Sequence, residues 1–193
     1  MQAPPTEFEQ FLFRRGKEHE AAHLATFPHY TRPSYPPGDF TAGAKATARL
    51  MAAKSPVIYQ GVLIAPEHDF VGIPDFLILG QDNYIVRDTK LTLNLDRHPE
   101  IAAQLSLYGW LYQAAAGRKP DHLEVLTGDD TLEQIDPVEV EALTQTINAV
   151  KSASEEPDEA VGWSKCNTCG FFDYCWQTAV EARDPAVAPE VLQ

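Results

Sequence analysis

The chain has 193 residues, of which 44% are hydrophobic, and this is enough for one domain with a substantial core. Its formal net charge of -13 excludes a protein that coats nucleic acid non-specifically, because such affinity comes from many Lys and Arg side chains on phosphates. No apolar run approaches the ~20 residues of a membrane span, and the first residues lack the basic and apolar regions of a signal peptide, so we expect a cytoplasmic protein.

The predicted elements follow the order helix, strand, strand, strand, helix, strand, with extra helices at either side. The first helix has Thr6 as its N-cap and Glu9 at the capping-box spacing, and Pro28 follows its end. Predicted helices cover residues 6–27, 40–54, 99–116 and 136–151, and predicted strands cover residues 57–64, 72–79, 84–90 and 122–127. This order favours an α/β fold in which helices cover the faces of a sheet of about four strands.

A predicted β-hairpin in the middle of the chain brings three charged residues to one point. If Leu79 pairs with Tyr84 across the turn between the two strands, Asp75 lies directly opposite Asp88, with Cβ atoms about 5 Å apart. Side chains alternate along a strand, so Lys90 lies on the same face as Asp88. The pattern therefore predicts a cluster of two carboxylates and one ammonium group.

The two facing carboxylates repel each other, which indicates a compensating cation. Hard oxygen ligands favour Mg²⁺ or Mn²⁺, and the adjacent ammonium of Lys90 suits a water that attacks a phosphorus centre. The alternative is two solvated acids on an edge strand beside an ordinary surface lysine.

Three further polar residues fall on apolar faces of predicted helices. His19 shares a stripe of the first helix with Phe8 and Leu12, so it faces the core either as a hydrogen-bonded structural residue or as a metal ligand, whereas Glu18 and Glu20 are expected to face solvent. Gln104 and Tyr108 are the polar members of the apolar face of the helix after the hairpin. They either bond the backbone at the edge of the sheet or line the site, where they contact a phosphate or position Lys90.

The C-terminal region carries all three cysteines of the chain, Cys166, Cys169 and Cys175. Their C-x2-C-x5-C spacing favours a metal ion or cluster over disulfides, although three buried thiols packed against aromatic rings are the alternative. An acidic stretch near residue 154 marks the expected boundary between a core of residues 1–153 and a tail of residues 154–193 that packs on it.

Taken in order, these motifs resemble the RecB-like nucleases of the PD-(D/E)XK superfamily, akin to the CRISPR adaptation exonucleases and the AddB-type nuclease domain. The resemblance extends over nearly the whole chain, and the order and spacing of the motifs carry it. The matching residues are Gly16 to His19, Gly72 to Phe76, Asp88-Thr89-Lys90, Gln104 with Tyr108, and the three-cysteine tail.

The resemblance implies a restriction-endonuclease-like core with a central mixed sheet flanked by helices. It implies His19, Asp75, Asp88 and the Thr89 carbonyl as metal ligands, Lys90 as the catalytic lysine, and motif residues Gln104 and Tyr108 beside the site. It also implies a four-cysteine iron-sulfur cluster. The chain departs from the family here, because residues 1–7, ahead of the His19 helix, contain no cysteine.

Two functions follow from these observations. The first is a metal-dependent DNA nuclease that uses Mg²⁺ or Mn²⁺ on single-stranded DNA or on duplex ends, alone or within a larger complex. The second is a non-catalytic subunit that binds DNA ends or a protein partner, with a nuclease-like scaffold and a metal-stapled tail. The complete Asp75, Asp88 and Lys90 set favours the nuclease, whereas the missing cysteine and the acidic charge favour the scaffold.

Overall fold

A five-stranded mixed sheet forms the centre of the computed structural model, which describes residues 4–152 and 170–182. The strands lie in the order β1-β4-β5-β6-β7; β5 and β6 are parallel, and the other neighbours are antiparallel. The strands are β1 Val57–Tyr59, β2 Leu63–Ala65, β3 Phe70–Gly72, β4 Phe76–Leu79, β5 Tyr84–Thr89, β6 Leu123–Leu126 and β7 Leu132–Ile135. The helices are α1 Glu7–Leu24, α2 Phe40–Ala52, α3 Pro99–Ala116, α4 Val140–Ser152 and α5 Phe172–Ala182.

The predicted α/β class is confirmed, but the described residues form seven strands where four were predicted. The predicted strand of residues 57–64 is broken, because Gln60 has a φ of 52° and turns the chain between β1 and β2. β2 then pairs with β3 in a separate two-stranded sheet. Neither β3 nor the short, polar strand β7 was predicted, and the predicted strand of residues 72–79 begins only at Phe76, because Gly72 belongs to β3. The assignment of the sheet to a PD-(D/E)XK core stays a prediction.

The hairpin register is as predicted. Leu79 pairs with Tyr84, and the ladder continues in step to Phe76 opposite Arg87. The backbone N–H of Gly80 donates to the Asn83 carbonyl at 2.8 Å, which closes the four-residue turn. Because the ladder fixes which side chains share a face, this register determines where the acidic residues of the hairpin lie.

Helix α3 covers the face of the sheet that Leu77 and Val86 occupy, and it connects the parallel strands β5 and β6. Leu105 and Tyr112 of α3 are buried in this core, and the Tyr112 hydroxyl accepts a hydrogen bond from the backbone N–H of Tyr84 at 3.2 Å. A rigid apolar layer therefore supports β5, the strand that ends at the candidate site.

The other face of β5 and β6 carries a buried ion pair. Arg87 donates from Nε to Glu124 Oε2 at 2.7 Å, and its Nη1 lies 3.0 Å from Nε2 of His23 on α1. Burial, followed by the charge of Arg87, lowers the pKa of His23. Because Arg87 and Asp88 are consecutive on β5, the ion pair lies on the sheet face opposite the acidic cluster.

Helix α1 begins with the predicted capping box, in which the Thr6 backbone N–H and hydroxyl donate to Glu9 Oε2 at 2.7 and 2.8 Å. The predicted apolar stripe is wrong at its start, because Phe8 and Leu12 are exposed, whereas His19 is half-buried.

The chain divides into two compact units, one of Arg14–Lys151 and one of Met1–Phe13 with Ser152–Gln193. The predicted packing of the tail of residues 154–193 on the core stays a prediction. Within the described residues, no helix combines the length and the apolar character needed to cross a bilayer.

Candidate functional site

The two predicted aspartates lie where the β4–β5 ladder ends. Asp75 immediately precedes β4, and Asp88 is the fifth residue of β5, so the register of Phe76 with Arg87 places them opposite each other when continued by one step. Asp88 is only 3% exposed. Because water is largely excluded, the negative charge of the two carboxylates must be balanced by a positive charge close by.

Asp75 is held by three hydrogen bonds. The backbone N–H and the hydroxyl of Thr89 donate to Asp75 Oδ2 at 2.8 and 2.7 Å, and the Gln60 backbone N–H donates to the Asp75 carbonyl at 2.8 Å. Burial and then the charge of Asp88 raise the pKa of Asp75 to about 7, against the lowering effect of Thr89. The carboxylate is therefore fixed in place and only partly ionised near neutral pH when no cation is bound.

Lys90 supplies the positive charge of the cluster. Its ammonium Nζ donates to Asp88 Oδ2, and its backbone N–H donates to the Leu126 carbonyl at 2.9 Å. The side chain is 26% exposed, so the ammonium reaches both the buried carboxylate and solvent. The structure thus brings together the predicted Asp75, Asp88, Thr89 and Lys90.

Gln104 and Tyr108 lie on α3 next to this cluster. Gln104 Nε2 donates to the Tyr108 hydroxyl at 2.9 Å, and burial followed by the charge of Asp88 raises the pKa of Tyr108. Tyr108 packs over Gly72 of β3. A Cβ added at Gly72 would lie 2.8 Å from Tyr108 Cδ1, so the lack of a side chain at this position makes room for the ring. Both predicted residues are therefore beside the acids, half-buried and linked to each other.

His19 lies over the end of β6. Its Nε2 is 3.5 Å from the Leu126 carbonyl oxygen, and its Nδ1 is 3.7 Å from Oδ1 of Asp130. Within residues 4–152 and 170–182, no three His, Cys, Asp or Glu side chains are grouped closely enough to hold one metal ion. Ligation of a metal by His19 together with Asp75 and Asp88 therefore stays a prediction.

Glu20 is the residue that sequence reasoning missed, since it was expected to face solvent. It is half-buried, and its Oε1 accepts a hydrogen bond from Gln60 Nε2 at 2.9 Å. Burial, and then the hydrogen bond to Glu20, raise the pKa of Tyr59 to about 12, and the charge of Glu20 adds to the rise at Asp75. The available signal was its position next to His19, because neighbouring helical residues point about 100° apart and both can border one site.

The donor set suits Mg²⁺ or Mn²⁺. These ions take oxygen ligands, and Mg²⁺ is commonly held by one or two carboxylates while keeping several waters. The two acids provide that chemistry, and burial followed by the charge of Asp88 raises the pKa of Asp75, an effect that a bound cation would oppose. Asp75 and Asp88 therefore fit as ligands of such an ion.

Two of the three predicted cysteine ligands, Cys166 and Cys169, lie outside the described residues. Cys175 lies half-buried in α5, and its backbone N–H donates to the Phe171 carbonyl at 3.0 Å. The cysteine site therefore stays a prediction from the sequence.

No family model and no curated protein matches the chain. Among solved structures, one match is to the crystal structure of SSO0001, with 14% sequence identity over 86% of this chain and 96% of that chain, and a TM-score of 0.39. This similarity is too low to bear on function, so the functional assignment depends on the site itself.

Proposed function

We propose that this chain is a metal-dependent deoxyribonuclease whose active site is formed by Asp75, Asp88 and Lys90. The observation that carries the proposal is the pair of facing acids at the end of the hairpin, one of them buried and bonded to a lysine ammonium. A purely structural sheet gains nothing from this arrangement, because facing like charges destabilise it. The resemblance of the ordered motifs to RecB-like nucleases supports the same reading.

Each residue has a distinct role in the proposed hydrolysis. Asp75, oriented by Thr89, and Asp88 hold the cation. When bound, Mg²⁺ or Mn²⁺ polarises a phosphoryl oxygen and lowers the pKa of a coordinated water. Lys90, placed by its contact with Asp88, would orient the attacking water. The oxygen of that water bonds to phosphorus as the bond to the leaving oxygen breaks, the water gives its proton to solvent, and the leaving oxygen takes a proton from solvent.

The residues around the acids complete the proposed site. The amide of Gln104 and the hydroxyl of Tyr108 are neutral donors beside the two carboxylates, and such groups contact a phosphate without repelling it or displacing the cation. His19, from α1, is the proposed additional ligand, in line with the resemblance. The overall charge of -13 confines contact with DNA to this neighbourhood.

The direct test uses DNA labelled at either end, as linear single strands, linear duplexes and nicked or closed circles. We expect cleavage with Mg²⁺ or Mn²⁺ and none with EDTA. The labels distinguish attack from an end from internal cuts. Tight binding to DNA ends without cleavage in any metal would instead support the non-catalytic scaffold.

The cysteine tail gives a separate prediction. An iron-sulfur cluster normally takes four protein ligands, and this chain has only Cys166, Cys169 and Cys175, so iron should be substoichiometric or lost in air. Anaerobic purification followed by visible absorbance and iron analysis measures this. A stable brown protein with a full complement of iron would reveal a fourth ligand that is not a cysteine.

A further inference from the structure

Helix α1 lies next to the strand end that carries Lys90. His19 Nε2 is 3.5 Å from the Leu126 carbonyl oxygen, and the same oxygen accepts the backbone N–H of Lys90 at 2.9 Å. One shared acceptor on β6 thus separates the histidine of α1 from the backbone of the proposed catalytic lysine. Any shift of α1 along the sheet would therefore move His19 relative to Lys90.

A second contact of α1 lies on the Asp75 side of the cluster. Glu20 Oε1 accepts a hydrogen bond from Gln60 Nε2 at 2.9 Å, and the Gln60 backbone N–H donates to the Asp75 carbonyl at 2.8 Å. Glu20 follows His19 directly in the same helix. Both contacts therefore depend on one helix being held in one place on the sheet.

His23, one helical turn after His19, joins α1 to the centre of the sheet. Its Nε2 lies 3.0 Å from Arg87 Nη1, and Arg87 immediately precedes Asp88 on β5. The guanidinium is held in turn by Glu124 of β6, to which its Nε donates at 2.7 Å. His23 therefore connects α1 to the strand that carries Asp88.

The contact between His23 and Arg87 requires a neutral imidazole of one tautomer. A guanidinium is always protonated and only donates, so Nε2 of His23 must accept and the ring proton must lie on Nδ1. Burial has the largest effect on the pKa of His23 and lowers it. The charged groups that also act on the ring are Arg87 and His19, which lower this pKa, and Asp130 and Glu124, which raise it.

Packing alone does not call for a histidine at this position. The ring lies edge-on to Phe27 and Phe76, with centres 5.0 and 5.1 Å away, so an apolar side chain would suit the space. Arg87 would also keep its ion pair with Glu124 if His23 were absent. What the imidazole adds is a directional hydrogen bond, which fixes α1 against β5 more strictly than apolar contact does.

We propose that His23 is a positioning residue of the active site, which holds α1 against β5 so that His19 and Glu20 stay at the end of the sheet that carries the acids. The inference rests on the proposed nuclease function, which it deepens by giving a role to a residue that touches neither the substrate nor the cation. His23 takes no part in the chemical step, and it acts only through the place of α1.

The first part of the test follows α1 without chemistry. Amide hydrogen exchange in the second half of α1 is measured by NMR in EDTA for the full-length wild-type, His23→Leu and His23→Gln proteins. Near pH 8, His23→Leu should lower the protection by about tenfold, because one hydrogen bond to a charged group is lost. His23→Gln should keep wild-type protection, because the Gln side-chain oxygen still accepts from Arg87.

Acid should loosen α1 in the wild-type protein and not in His23→Gln. The folded-state pKa of His23 lies below its ordinary value of 6.5, so its contribution to stability is complete above that value and is lost as the pH falls through the folded-state pKa. Protection of α1, corrected for intrinsic exchange, should therefore fall relative to His23→Gln between about pH 8 and about pH 5. His19 is present in both proteins, so its titration cancels in this comparison.

The second part of the test measures DNA cleavage. His23→Leu should lower kcat by about tenfold or more with little change in KM, because a misplaced α1 affects the transition state more than the bound substrate. His23→Gln should restore most of the rate. His29→Leu is the matched control, because His29 is exposed and lies after the end of α1, and it should behave as wild type in both parts. Thermal melts should show that all variants remain folded.

Three results would overturn the role of His23. These are wild-type protection of α1 in folded His23→Leu, protection in His23→Gln as low as in His23→Leu, or an unchanged kcat in His23→Leu. Absence of cleavage by the wild-type protein would instead refute the nuclease function on which the inference rests. The exchange experiment would still show whether His23 fixes α1, so the two failures are distinguishable.

Discussion

Replacement of Asp88 by Asn or of Lys90 by Met is expected to lower the rate of DNA cleavage by at least about 10³-fold. Asn keeps the shape of the carboxylate but loses the charge that holds a cation, and Met keeps the length of the lysine stem but loses the ammonium. Because both groups act on the same transition state, the double variant should be little slower than either single variant. Initial rates on an end-labelled strand in Mg²⁺ or Mn²⁺ measure the effect.

Asp82→Asn is the matched control for these variants. Asp82 is an exposed acid in the turn of the same hairpin, so Asp82→Asn changes the net charge by the same amount as Asp88→Asn without touching the site. It should cleave at the wild-type rate. If folded Asp88→Asn or Lys90→Met protein retained wild-type cleavage, the assigned active site would be wrong.

Asp75→Asn is expected to make the metal-free protein more stable at pH 8, by on the order of 2 kcal/mol, with little change near pH 4. The folded-state pKa of Asp75, about 7, is above its ordinary value of 3.8, so the folded chain binds more protons between these pH values. The stability contributed by this group is therefore complete below about pH 4 and is lost as the pH rises through 7. Asn has no ionisable side chain, so the Asp75→Asn protein does not lose this stability as the pH rises.

Urea unfolding in EDTA at several pH values measures this difference. Saturating Mg²⁺ should reduce the advantage of Asp75→Asn at pH 8, because a bound cation stabilises the ionised wild-type pair. A stability difference for Asp75→Asn that does not depend on pH would mean that the pKa of Asp75 is not raised in the folded chain.

The hairpin and its acids could be predicted because local rules determine them. A turn of Gly80, Gln81, Asp82 and Asn83 between two β-prone segments sets the pairing of Leu79 with Tyr84, and counting from that pair places the two acids on one face. The face of α3 that carries Gln104 and Tyr108 follows from helical spacing in the same way.

Other features depend on contacts between distant parts of the chain. Gln60 takes a left-handed conformation, and its side chain donates a hydrogen bond to Glu20 of α1, 40 residues earlier. No local sequence pattern predicts this turn, or that Glu20 lies near the site. His19 shows the same limit, because helical spacing predicted that it faces inward but did not reveal Asp130 and the Leu126 carbonyl as its neighbours. Strand β7 was missed because Leu132-Glu133-Gln134-Ile135 lacks an alternating apolar pattern.

We expect Asp75 and Asp88 together to hold a divalent cation. Isothermal titration of Mn²⁺ into the metal-free protein, with Asp75→Asn, Asp88→Asn and Asp82→Asn measured in parallel, tests it without relying on a DNA substrate. The wild-type and Asp82→Asn proteins should show one specific Mn²⁺ site, stronger than any weak binding to the acidic surface, and both site variants should lack it. Equal Mn²⁺ binding by all four proteins would contradict it.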